Sequence, residues 1–113
     1  MERTPRMTGT TIAVLGAFLT DPPTDHYGLE LGALLGLPSG TIHPILARLE
    51  GLGWLTSGWE SVDPRAVGRP ARRYYRLTDT GVTQAKSALA RAEANRARLQ
   101  TRYRPVHAAE GLS

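Results

Sequence analysis

The chain has 113 residues, 41% hydrophobic, 6% aromatic and 21% charged, with no cysteine and a formal net charge of +4. That length supports one compact domain with a modest core. The absence of cysteine excludes a disulfide scaffold, thiolate zinc sites, iron–sulfur clusters and a cysteine nucleophile. His26, His43 and His107 lie far apart without ligand-like spacing, so neither a metal site nor a cofactor is expected. No apolar run approaches the roughly 20 residues of a membrane span. The N-terminal MERTPRMTGT is followed by an apolar stretch that breaks at Asp21-Pro22-Pro23, unlike a signal peptide. A soluble cytoplasmic protein with no membrane partner is expected.

Residues 1–7 read as a loose arm. From Thr8 or Thr10 a helical pattern begins, with Ile12, Leu15, Phe18 and Leu19 at helical spacing. Asp21-Pro22-Pro23-Thr24 ends it, because proline cannot continue a helix. Asp25 is a candidate N-cap for a short second helix from Tyr27 to about Leu35. After the turn Gly36-Leu37-Pro38, Ser39 or Thr41 can cap a third helix, with Pro44 in or near its first turn. Ile42, Ile45, Leu46, Leu49 and Leu52 form its apolar stripe, and Gly51 and Gly53 end it.

The period then changes. Trp54 to Glu60 is short and β-prone, and a turn-rich segment from Asp63-Pro64 to Gly68-Arg69-Pro70 follows. Arg72 to Leu77 reads as a second strand, antiparallel to the first. Thr78 or Asp79 caps a last helix that runs to about Tyr103, roughly 39 Å at 1.5 Å per residue. Pro105 ends it. The order is helix, helix, helix, strand, strand, long helix. This is the plan of a winged helix-turn-helix: a mainly α (α+β) fold with a two-stranded wing and a long C-terminal dimerisation helix. The expected units are a DNA-binding domain at 8–77, the helix at 78–104, and flexible termini at 1–7 and 105–113.

Charge is divided along the chain. Residues 1–60 carry Arg3, Arg6 and Arg48 against Glu2, Asp21, Asp25, Glu30, Glu50 and Glu60, a balance of −3. Residues 61–113 carry eleven basic groups against Asp63, Asp79, Glu93 and Glu110, a balance of +7. Every basic residue but Lys86 is arginine, which suits bidentate recognition of phosphates and guanine edges.

Two stretches are candidate DNA contacts. The non-apolar face of the third helix shows Ser39, Gly40, Thr41, His43, Pro44, Ala47, Arg48 and Glu50. A recognition helix enters the major groove by its first turns, and small hydroxyl residues permit close approach. Thr41 and His43 are placed for bases or phosphates and Arg48 for a phosphate. Ser39 and Thr41 can equally be plain caps. In the hairpin, Arg65, Arg69, Arg72, Arg73 and Arg76 crowd one segment. Gly68-Arg69-Pro70 is placed to present Arg69 to a minor groove. Alternation puts Arg72, Tyr74 and Arg76 on one face, Tyr74 outward, and Arg73, Tyr75 and Leu77 on the other. The competing reading is a basic edge strand that blocks aggregation.

Along the last helix, Val82, Ala85, Leu89, Ala92, Arg96, Leu99 and Tyr103 are spaced alternately by 3 and 4. This soft heptad, packed against Ile12, Leu15 and Phe18 of a second subunit, is the expected homodimer interface. The alternative is a helix lying back over its own domain. No nucleophile–base pattern, phosphate loop or carboxylate pair supports an enzyme.

Taken together, these residues resemble the PadR family of bacterial transcriptional regulators. The resemblance rests on Tyr27-Gly28-Leu29-Glu30-Leu31, on Ser39 through Glu50, on Gly53-Trp54-Leu55 with Trp59-Glu60, and on Gly68 through Gly81. The single helix after the wing is similar to the short-tailed branch. The resemblance implies a homodimeric regulator, usually a repressor. Its third helix would read a palindromic operator in double-stranded DNA, its wing would touch the flanking minor groove, and its last helix would join the dimer. It also implies a small-molecule effector, often planar or aromatic, near the dimer interface. Two positions depart from the family pattern. His43 stands where tyrosine is common, and Trp54 where a smaller aliphatic residue is usual, either packing the core or lining a ligand pocket. The competing function is a winged-helix protein-interaction or ligand-sensing module with weak DNA binding.

Overall fold

The computed structural model describes residues 7–102. The elements in chain order are α1 (Gly9–Thr20), β1 (His26–Tyr27), α2 (Gly28–Leu35), α3 (Ser39–Gly51), β2 (Leu55–Trp59), α4 (Pro64–Val67), β3 (Arg73–Leu77) and α5 (Asp79–Arg102). Residues 1–6 and 103–113 lie outside the described residues, and with them fall the expected termini 1–7 and 105–113, apart from Met7, and the expected end of the last helix at 103–104 with Tyr103.

Thr8 caps α1, its hydroxyl accepting from the Thr11 N–H at 3.2 Å. The chain leaves α1 at the Asp21-Pro22-Pro23 break. The next segment departs from expectation. His26 and Tyr27 do not open a helix; they pair antiparallel with Tyr75 and Tyr74. The hairpin therefore becomes a three-stranded sheet in the order β1-β3-β2. Asp25 does not cap α2. Tyr27 occupies that position without a side-chain cap, and the Asp25 carboxylate is taken by Arg76. A two-residue strand has no period to read, and its partner lies far along the chain.

The turn between α2 and α3 is tight. Gly36 sits at φ 68°, a left-handed conformation that glycine adopts without a Cβ penalty. Pro38, not Ser39 or Thr41, is the N-cap of α3, and its carbonyl accepts from Thr41 and Ile42. Ser39 and Thr41 are thereby inside the helix, and no side chain caps it. Pro44 is the sixth residue of the helix, past its first turn, where its missing N–H leaves the Gly40 carbonyl without its i→i+4 partner.

One core unites these elements. Ile42, Ile45, Leu46 and Leu49 of α3 meet Val14, Leu15 and Phe18 of α1, Leu31 of α2, Trp54, Leu55, Tyr75 and Leu77 from the sheet region, and Ala85 and Ala88 of α5. Trp54 is a core residue, which settles its role among the two expected. Two parts of the proposed subunit interface need correction. Leu15, Phe18 and Ala85 have no exposed surface within a single chain. They belong to the protomer's own core, because the first turns of α5 pack back on α1. Val82 and Leu89 are half-buried against the same core. A 3–4 spacing marks an apolar stripe and does not say which chain covers it.

The junction of wing and α5 is locked by backbone. Thr78 donates its N–H to the Trp54 carbonyl at 3.0 Å and its hydroxyl to the Gly53 carbonyl at 2.7 Å. The same hydroxyl accepts from the Gly81 N–H at 2.9 Å, capping α5 as expected for Thr78. Gly81 is required here, since a Cβ would stand 1.9 Å from the Trp54 carbonyl oxygen. Gly81→Ala is expected to lower stability by about 2–3 kcal/mol or more, as the junction must open. Gly16→Ala, in α1 with open space around the added methyl, should instead raise it by about 0.5–1 kcal/mol. Urea unfolding of the two variants checks both signs.

Candidate nucleic-acid interface

The exposed start of α3 stands beside the wing. Ser39, Gly40, His43, Pro44 and Arg48 are exposed and Thr41 is half-exposed. The hydroxyls of Ser39 and Thr41 carry no capping duty. The His43 Nδ1 lies 3.0 Å from the Ser39 carbonyl oxygen. A carbonyl only accepts, so Nδ1 carries the hydrogen, and in the neutral ring Nε2 is an acceptor. That nitrogen faces Gly28 at the start of α2, where a Cβ would come within 3.4 Å.

The wing differs from the sequence expectation in one physical respect: most of its arginines are already paired. β2 and β3 run antiparallel with Leu55 opposite Leu77 and Trp59 opposite Arg73. Continuing that register sets Glu60 opposite Arg72. The Glu60 N–H donates to the Arg72 carbonyl, and the Arg72 N–H donates to the Glu60 carboxylate, both at 2.9 Å. Arg69 folds back onto the same carboxylate and onto the Pro70 carbonyl, instead of projecting from the turn. Arg72 Nη2 adds a contact at 3.5 Å. Glu60 is thus the hub of the wing, with its side chain only 7% exposed. Its role is legible only once the register is known.

The other wing arginines reach back to the helical half. Arg72 Nη1 donates to Glu30 of α2 at 2.6 Å, and its guanidinium lies 4.0 Å from the Tyr27 ring centre. Arg73 donates to the Ser57 hydroxyl at 2.7 Å and stands 3.6 Å from Glu50 of α3. Arg76 donates to Asp25 at 2.7 Å. Tyr74 is half-buried over Gly58, whose missing Cβ leaves room for the phenol. Tyr75 and Leu77 face inward as alternation requires. Among the described residues, no carboxylate pairs with Arg48 or Arg65. The loop between the strands contains α4, a short helix capped by Asp63, where the sequence shows only turn residues.

These pairs shift ionisation in the expected sense. The Arg69 hydrogen bond, with help from the Arg72 N–H and both guanidinium charges, outweighs burial and holds the Glu60 carboxyl at about 2, against an ordinary 4.5. Burial draws the Arg72 pKa down, but the hydrogen bond it donates to Glu30 and the charges of Glu60 and Glu30 raise it on balance. The Asp25 hydrogen bond and charge raise that of Arg76.

No group of His, Asp and Glu among the described residues is arranged to hold a metal ion. No helix there is long and apolar enough to cross a membrane.

A depressed carboxylate pKa contributes stability that is present above the unfolded value and lost as pH falls through the folded one. Glu60→Gln should therefore lower the urea midpoint at neutral pH. The gap between variant and wild type should narrow below about pH 4.5 and close near pH 2, as read from unfolding curves across that range.

Comparison with known proteins agrees with the fold. The family described as "Transcriptional regulator PadR-like family" matches residues 24–87, more than half of the chain. No curated protein matches the sequence. Among solved structures, reduced AbfR bound to DNA is 26% identical with a TM-score of 0.57, over 74% of this chain and 57% of AbfR; AbfR comes from Staphylococcus epidermidis. The chain therefore spans little more than half the length of that relative. The PcaV regulator of Streptomyces coelicolor, in complex with its natural ligand, is 23% identical with a TM-score of 0.67, over 98% of this chain and 73% of PcaV. A transcriptional regulator homologue from Pyrococcus horikoshii OT3 is 18% identical with a TM-score of 0.65, over 81% of this chain and 84% of that one. With a winged helix-turn-helix, an uncapped polar start to α3 and a family match across both, the chain belongs to the PadR-like family of transcriptional regulators.

Proposed function

We propose that the protein is a homodimeric repressor that reads a palindromic operator through α3 and grips flanking phosphates with its wing. The observation that carries this reading is the exposed start of α3. Ser39, Thr41 and His43 are outside the core, free of capping work and beside an arginine-bearing hairpin. Small side chains there let the helix approach base edges. Arg48 and Arg65 supply cations that no carboxylate compensates among the described residues. Arg72, Arg73 and Arg76 keep 34–46% of their side chains exposed and can exchange a carboxylate for a phosphate. Such a regulator works in the cytoplasm.

The subunit contact of this reading uses what α1 and α5 do not bury at home. Ile12, Val82, Leu89 and Ala92 are half-buried, while Arg96 and Leu99 are exposed, Leu99 by 53%. A two-fold pairing of α1–α5 faces covers them and sets two α3 helices about one DNA turn apart. A small-molecule effector near that interface remains part of the proposal by family resemblance.

The pairing of the wing favours one alternative, a ligand-sensing or protein-interaction module with weak DNA binding. Gel-shift titration against the region upstream of the protein's own gene separates the two: equal affinity for that region and a scrambled duplex favours the module. For the repressor, Thr41→Ala and His43→Ala should cut the ratio of specific to non-specific affinity about tenfold each, at roughly 1–3 kcal/mol per lost base contact. Arg48→Ala should weaken both kinds of binding alike and reduce the salt slope by about 1. Leu89→Glu with Leu99→Glu should sediment as a monomer with weak operator binding.

A further inference from the structure

A cavity of about 530 Å³ opens between the wing, the start of α2 and His43 of α3. That volume lies in the range of small-molecule sites. None of its lining residues belongs to α1 or α5, whose face is assigned above to the second subunit. Its walls include three aromatic rings, Tyr27, Trp59 and Tyr75, with the guanidinium groups of Arg72 and Arg73 over them. Arg72 lies 4.0 Å from the Tyr27 ring centre, and Arg73 lies 5.5 Å and 6.0 Å from those of Trp59 and Tyr75. Guanidinium and aromatic faces both stack on planar molecules. Trp59 is 62% exposed although large and apolar, so it has contact area left for an occupant.

The charge of the walls selects further. Arg69, Arg72 and Arg73 border the cavity, but Glu60, Glu30 and Glu50 already pair with them. An anion entering would have to displace one of those carboxylates, whereas an uncharged ring system meets stacking faces without breaking an ion pair. His43 also borders the cavity and stands outside these ion pairs, and its Nε2 accepts in the neutral ring.

We propose that this cleft binds an uncharged planar aromatic molecule of one or two rings, stacked between Trp59 and the Tyr27–Arg72 pair. Its occupant stands between the start of α3 and the wing, and so excludes DNA directly. The exclusion rests on the DNA-binding reading above; the binding itself does not.

Calorimetry on the full chain tests the binding, with 2-naphthol as the uncharged probe, 2-naphthoate as its anionic analogue and cyclohexanol as the non-aromatic control. The expected result is saturable binding of 2-naphthol at one site per chain. The affinity should fall about tenfold or more in Trp59→Ala and in Ala71→Trp, which places a large side chain in the cleft wall. Cyclohexanol should not saturate, and 2-naphthoate should bind no more tightly than 2-naphthol. Absence of saturable binding, equal affinity in both variants, or a tenfold preference for the anion would each overturn the proposal. A gel shift with added 2-naphthol reads the second half, expecting weaker DNA binding for wild type and no such effect in Ala71→Trp. Unchanged DNA affinity at saturating 2-naphthol overturns direct exclusion. Failure to bind DNA without the probe overturns the repressor reading alone and leaves the calorimetric result intact.

Discussion

Strand β3 carries the architecture because both of its edges are used. One edge pairs with β1 at the entrance to the helix-turn-helix, and the other with β2 of the wing. Five residues, Arg73 to Leu77, therefore fix the distance and angle between α2–α3 and the hairpin. Their inward members, Tyr75 and Leu77, join the core that also holds α3. Arg73 and Arg76 on the same strand carry guanidinium groups to Glu50 of α3 and to Asp25 just ahead of β1. Removing β3 from this position would separate the two candidate DNA contacts from each other and α5 from both, since Thr78 follows it directly.

How much of this was legible in the sequence depended on the range of the interaction. α3 and α5 declared themselves through repeated apolar spacing over several turns, and the hairpin through the change to a period of two. The proline break after α1 and the glycine after α2 act within a few residues and were equally readable. β1 was not, because pairing of His26 with Tyr75 is a property of two distant segments. The same holds for the candidate site. Composition located the arginines, but their carboxylate partners lie 9 to 51 positions away. The seam on α5 shows a third limit. Ala85 satisfies the heptad spacing, yet α1 of its own chain covers it.

The ion pairs recast the divided charge of the chain. The acidic first half and the basic second half are folded against each other, with Asp25, Glu30, Glu50 and Glu60 set on the wing arginines. A surface so compensated attracts phosphate less at long range than five bare arginines would. It also orders the side chains before any contact, which lowers the entropy lost when they bind.

The four carboxylates are not equivalent, and their exposure separates framework from contact. Glu60 is 7% exposed and stays ionised down to about pH 2, so it holds Arg69 and closes the hairpin at any physiological pH. Glu50, Asp25 and Glu30 are 34%, 35% and 62% exposed, and water competes for their partners. Arginines on these three give up their carboxylates more readily than Arg69 does, since moving Arg69 would leave a buried carboxylate short of its main partner. In the repressor reading, Arg69 then shapes the wing, and Arg72, Arg73 and Arg76 meet the DNA backbone. Each of those exchanges frees a carboxylate in place of a condensed counterion from the wing's side. The salt dependence of binding should accordingly be carried by the phosphates' own counterions and by uncompensated Arg48 and Arg65.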